Sequence, residues 1–233
     1  MRNYFKHTAS PLFGVVVIIP LAIYYEISMF FVNRGMNAEI RNAADVMFKR
    51  LFEGIGFDGP LAGIVMFASL FIVSALLQGA HREKKGIKIH WHYYPVMVAE
   101  SALYAMILFA VMALSMNLMT APALALSPID IGYCLGAGVY EELLFRALLL
   151  QGLMFIAKKL PGRAFLLKGG ALLLSALLFA GAHYIGAAGD TFAWMTFLSR
   201  ILGGIVLGGI YMLRGLGPAV YTHAIYDIYT ILL

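Results

Sequence analysis

Apolar runs long enough to cross a bilayer recur along this chain, and they leave few folds open to it. In hydrocarbon every backbone N–H and C=O must be satisfied within the protein, so runs of about 20 apolar residues have to be helices. Such runs cover roughly 12–32, 60–80, 94–119, 131–157, 164–185, 192–213 and 218–233. The expectation is an all-α, polytopic membrane bundle of seven or eight spans. It forms a single membrane-embedded domain over 1–233, with N-terminal spans in 1–128 and core spans in 129–233. Composition agrees: of 233 residues 62% are hydrophobic and 12% charged, against about half and about a quarter in a soluble domain. The net charge of +5 collects in short segments between the runs. That suits anionic lipid head groups and argues against a nucleic-acid surface. The single cysteine, Cys134, lies inside a run, which excludes an internal disulfide and makes it a packing residue.

Arg2 and Lys6 precede a first run with no small-residue cleavage site, so that run reads as an uncleaved span with its N-terminus cytoplasmic. Alternation from there puts the basic segments 81–93, 158–168 and Arg214 on the cytoplasmic side, and 120–128 and 186–191, which lack Lys and Arg, on the other. The implied location is the cell inner or plasma membrane. Between the first two runs, Ile40, Ala44, Met47, Phe48, Leu51 and Phe52 alternate at helical spacing with Arg41, Asp45, Lys49 and Arg50. They predict an amphipathic helix near residues 38–54, lying on the membrane surface or capping a cavity mouth.

The fourth run contains Glu141, Glu142 and Arg146. A charged side chain at the bilayer centre costs at least about 2.5 to 3.5 kcal/mol on insertion scales, so these three need partners or a water-filled cavity. Glu142 and Arg146 are four apart, on one helical face, and can pair. Glu141 points roughly 140° away from Arg146 and is free to face a water or a substrate. Two further spans carry polar groups at the same spacing: Phe179 with His183, and His223 with Asp227. A carboxylate, two imidazoles and a second carboxylate from three helices supply what hydrolysis needs: a base for water, a proton donor and an oxyanion stabiliser. The same set suits a divalent metal. Arg200 is a further charge inside a span, available to neutralise Glu141 or Glu100, to contact a substrate carboxylate, or to pair structurally. Gly203, Gly204, Gly208 and Gly209 beside it read as close-packing positions.

Glu141-Glu142-Leu143-Leu144-Phe145-Arg146, Phe179-Ala180-Gly181-Ala182-His183 and His223-Ala224-Ile225-Tyr226-Asp227, in that order, resemble the Glu-Glu-x-x-x-Arg, Phe-x-x-x-His and His-x-x-x-Asn/Asp motifs of the CAAX prenyl protease and bacteriocin-processing family, the ABI-type intramembrane glutamic endopeptidases. The resemblance runs from about Ile129 to the end. It implies a membrane protease acting on a peptide or membrane-protein substrate. In it Glu141, helped by His183, activates water, His223 and residue 227 stabilise the oxyanion, and Glu142, Arg146 and Phe179 support them. Prenyl proteases of the family carry Asn at the last position, and this chain carries Asp227. An ionised carboxylate cannot donate to an oxyanion, so Asp227 is either held protonated or orients His223 and keeps it charged.

The alternative is a non-enzymatic membrane transporter or an immunity or assembly factor, using the same Glu/His cluster for protons or ions. A transporter should show repeated halves with matching broken helices, and the sequence shows none. No His-Glu-x-x-His motif is present either. The expectation is therefore catalysis without a cofactor, with a divalent metal such as zinc as the alternative.

Overall fold

The computed structural model describes residues 2–34, 40–57, 63–70, 72, 89–116, 126–186 and 189–232. The expected second span and the basic segment after it lie largely outside the described residues, as does most of 120–128. Among the described residues all regular structure is helical: α1 (Arg2–Thr8), α2 (Pro11–Asn33), α3 (Ala43–Glu53), α4 (63–70), α5 (Tyr93–Met116), α6 (Pro128–Glu142), a π-helix (Leu143–Leu150), α7 (Gln151–Ala157), α8 (Ala164–Ala182), α9 (Trp194–Arg214) and α10 (Leu216–Leu232). Among the described residues four helices are long and apolar enough to cross a membrane: Pro11–Asn33, Tyr93–Leu114, Ala164–Ala182 and Trp194–Arg214. The chain is an integral membrane protein. Residues 128–157 also run without a break as α, π and α again, but they carry Glu141, Glu142 and Arg146.

Every residue from Leu216 to Ala224 is buried. Burial all round a helix marks the centre of a bundle, and α10 packs against α2, α5, α6 and α9. Gly215 alone joins α9 to α10, at φ 84°, a conformation that glycine adopts without strain, and an added Cβ would lie 2.9 Å from the Ala9 carbonyl oxygen. Local signals start the helices that carry the site. Ser10 caps α2 through the Phe13 N–H, with Pro11 in its first turn. Ser127 and Asp130 form a reciprocal capping box on α6, again with a proline, Pro128, in the first turn.

Helix α6 approaches α10 at Gly138, where an added Cβ would sit 2.8 Å from the Ala224 Cβ and 2.9 Å from its nitrogen. Of the glycines on α9, Gly204 and Gly208 do meet α8, at Ala176 and Leu172. Gly203 touches only the Met112 methyl, and Gly209 has nothing within 4 Å of an added Cβ.

One expectation changes here, and of the two placements left open for α3 the cap is the one found. Arg214 is 7% exposed rather than part of a cytoplasmic loop. It holds Glu100 through Nε at 2.6 Å and Nη2 at 2.8 Å and also donates to Thr8, while Tyr4 and Tyr104 donate to the same carboxylate. Burial, and then the Glu100 carboxylate, pushes the Tyr4 hydroxyl above its ordinary pKa, which keeps it a donor. Helix α3 is amphipathic with its polar stripe turned inward: Asp45 is fully buried, and the side chains of Arg41 and Lys49 are 15% and 14% exposed. Ile40, Met47 and Leu51 face outward, each about half exposed. The polar stripe turns inward because Glu26, a carboxylate inside the first apolar run, needs cations. It receives Arg41 at 3.0 Å and Lys49 at 3.1 Å, and Tyr140 donates to it at 2.8 Å. Helix α3 therefore rests on α6 as a cap.

Candidate active site

Glu141 and Glu142 are the last residues of α6, where the helix widens into the π-segment. Such π-turns occur often at functional sites. Helical periodicity alone gives no sign of this one. Its backbone is supported from α8, where the buried Ser175 hydroxyl donates to the Phe145 carbonyl at 2.9 Å.

The Glu142–Arg146 pair forms as the spacing predicts, Nη1 to Oε1 at 2.8 Å, with the two side chains 0% and 1% exposed. Arg146 also donates to the Gly204 carbonyl at 3.4 Å and lies 4.4 Å from the centroid of the Phe179 ring. His223 comes from α10 and donates through Nδ1 to the same Glu142 Oε1 at 2.7 Å. One buried carboxylate thus serves two donors from two helices, and it fixes which nitrogen of His223 is left over.

That nitrogen, Nε2, lies 3.9 Å from Glu141 Oε2 and 3.7 Å from Asp227 Oδ2. His183 is the C-cap of α8, the residue just after its last turn. Its Nδ1 donates to the Phe179 carbonyl at 2.9 Å, and its Nε2 points at Glu141 Oε2 from 4.0 Å. The Phe179 ring, buried, packs edge-on against both His183 (centroids 4.9 Å apart) and His223 (6.1 Å). Glu141, His183, His223 and Asp227 therefore come together from three helices, with separations too long for direct hydrogen bonds but within what one bridging water spans. The Glu141 side chain is 14% exposed where Glu142 is 0%, so Glu141 is the carboxylate that solvent can reach. Among the described residues no group of three His, Cys, Asp or Glu side chains is arranged to hold a metal ion.

Beside the site lies an apolar cleft of about 390 Å³, lined by Met47 of the cap, Leu144, Phe145, Leu148, Leu177 and Ile185. Arg200 reaches neither Glu141 nor Glu100: it pairs with Asp190, and its guanidinium lies 5.0 Å from the Tyr184 ring centroid. The Asp190 backbone N–H in turn donates to the His183 carbonyl at 2.9 Å, so Arg200 is tied to the turn that carries His183. Sequence reasoning missed Asn42, which donates to Glu141 Oε1 at 2.9 Å, and the Glu26 cluster behind it. A lone carboxylate in an apolar run was the available signal for the cluster. Nothing in the sequence signals Asn42.

Residues 123–229 match the family described as type II CAAX prenyl endopeptidase Rce1-like. No curated protein and no solved structure matches the chain. The matched segment contains every residue of the three motifs, while α2 and α3, with Asn42, lie outside it.

Proposed function

We propose that the chain, whose residues 123–229 match the type II CAAX prenyl endopeptidase Rce1-like family, is an intramembrane glutamic endopeptidase that hydrolyses a peptide bond of a peptide or membrane-protein substrate. The observation that supports this most is the convergence of His183 Nε2 and His223 Nε2 on one oxygen of Glu141, at 4.0 and 3.9 Å.

In this reading Glu141, with His183 beside it, takes a proton from water as the oxygen attacks the scissile carbonyl carbon. The π electrons of the carbonyl move to its oxygen, and the oxyanion is met by the Nε2–H of a cationic His223. Glu142 holds the other ring N–H, and Asp227 is the counter-charge that keeps the ring cationic. Collapse of the tetrahedral intermediate breaks the C–N bond, and Glu141 returns its proton to the leaving amine. Glu142, Arg146 and Phe179 orient these groups, no metal takes part, and the substrate's apolar part enters by the cleft lined by Leu144 and Leu148. Seven or eight spans carry this core, with the N-terminus cytoplasmic in the cell inner or plasma membrane. The exposed Lys158 and Lys159 between α7 and α8 lie on the same side. Arg200, paired with Asp190, holds the turn that carries His183. Its replacement by alanine should lower kcat severalfold with KM little changed in steady-state kinetics, because it loosens the position of His183.

The test is cleavage by detergent-purified protein of fluorogenic peptides ending in a CAAX sequence, farnesylated and unmodified. Wild type is expected to cleave at least one, and Glu141→Ala to lower kcat about 10²- to 10⁴-fold. If folded wild type cleaves nothing and Glu141→Ala complements a deletion fully, the transporter or immunity-factor reading replaces this one.

A further inference from the structure

We propose that Asn42 is a positioning residue for Glu141, which makes helix α3 part of the working site and not a passive cover. The inference rests on the assignment of Glu141 as the base.

Asn42 lies 99 positions before Glu141 and outside the segment that matches the family. Two neighbours fix the orientation of its side chain. As N-cap of α3 its Oδ1 accepts the Ala44 N–H at 2.8 Å, and its Nδ2 donates to Glu141 Oε1 at 2.9 Å. An ionised carboxylate only accepts, so the amide has one arrangement that satisfies both contacts. The backbone under it is held as well. The Asn42 N–H donates to the Tyr25 hydroxyl at 3.0 Å, and that hydroxyl donates to Asp45 Oδ2 at 3.0 Å. Tyr25 and Asp45 are both fully buried, and Asp45 is gripped by Arg41 and Lys49, each at 3.1 Å. Those two cations reach across to Glu26 on α2. Asn42 is thus the end of a buried polar chain anchored in two helices, and its free donor is aimed at one oxygen of the base.

The consequence is a choice between the two oxygens of Glu141. With Oε1 held by the amide, Oε2 is the oxygen that faces both imidazoles. The amide stops the carboxylate rotating into a direct ion pair with either histidine, a position from which it would no longer accept a proton from an attacking water. Groups that do chemistry must be held to about 0.5 Å, by partners that are themselves fixed.

Two variants separate positioning from folding. Asn42→Asp has the same shape and keeps an oxygen to cap α3, but sets a second carboxylate oxygen against Glu141. Asn42→Ser also keeps a capping oxygen and lacks the donor. Both should lower kcat on the cleaved peptide about 10- to 100-fold, the worth of one hydrogen bond to a charged group, with KM and the thermal midpoint in detergent unchanged. A purely structural residue predicts the reverse: both variants turn over at the wild-type rate, because both still cap the helix. Wild type and Glu141→Ala are run beside them. If Glu141→Ala is inactive while both variants keep the wild-type kcat, the positioning role is overturned and the base assignment stands. If Glu141→Ala cleaves as wild type does, the base assignment fails and takes this inference with it.

Discussion

Arg146→Ala is expected to destabilise the folded bundle by about 3 to 5 kcal/mol, because it leaves the Glu142 carboxylate buried without its guanidinium partner. Both side chains are essentially inaccessible and 2.8 Å apart, so solvent cannot take over the lost contacts. The guanidinium also supplies the Phe179 stacking and the Gly204 hydrogen bond. In a thermal-shift assay in detergent the midpoint should fall by roughly 10 °C. The double variant Glu142→Leu/Arg146→Met should recover part of that loss, since replacing both members of a buried pair with apolar groups costs far less than removing one. Recovery stays partial because His223 then loses the acceptor at its Nδ1. A midpoint for Arg146→Ala within 2 °C of wild type would show that the pair does not hold the helix.

Gly138→Ala should lower kcat about 100-fold while removing no polar group of the site. Its Cβ would come within 2.9 Å of the Ala224 nitrogen and 3.0 Å of the Val220 carbonyl oxygen as well as 2.8 Å from the Ala224 Cβ. These are largely backbone contacts, so α6 and α10 have to separate. Glu141 and Glu142 follow Gly138 on α6, and His223 precedes Ala224 on α10, so the separation acts directly on the distances between carboxylates and imidazole. A displacement of about 1 Å costs on the order of 10²-fold in rate. Adding Ala224→Gly removes the Cβ–Cβ clash and should restore part of the activity. Steady-state kinetics of the single and double variants check this, and wild-type turnover by Gly138→Ala would show that the α6–α10 approach does not set the geometry of the site.

The parts of the site that could be read in the sequence are those set by spacing along one helix. Glu142 with Arg146, Phe179 with His183 and His223 with Asp227 are each four apart, and each pair is in contact or close to it. Periodicity shows neighbours on one helix and nothing of what another helix brings. Glu142 was separable from Glu141 by its pairing with Arg146, yet its second partner, His223, comes from a helix 81 positions away. Charge alone leaves Arg200 open to Glu141, Glu100, a substrate carboxylate or a structural pair, and it takes a structural one, Asp190, ten residues before it in the turn next to His183. Helix α3 was legible as amphipathic, but the hydrophobic pattern does not say which face turns inward in a membrane. That is decided by Glu26, a charge whose partners lie on another element. The π-segment kept the Glu142–Arg146 contact that α-helical spacing predicts, so nothing in the pattern marked it.

The measurement closest to the central claim is turnover of whichever peptide wild type cleaves, by wild type and by Glu141→Gln, each with and without excess EDTA, on protein shown to be folded. A water activated by the Glu141 carboxylate predicts that wild type keeps its rate in chelator, while the isosteric amide, which has no proton-accepting carboxylate, drops about 10²- to 10⁴-fold. Loss of wild-type activity in chelator, or wild-type turnover by Glu141→Gln, would contradict the account.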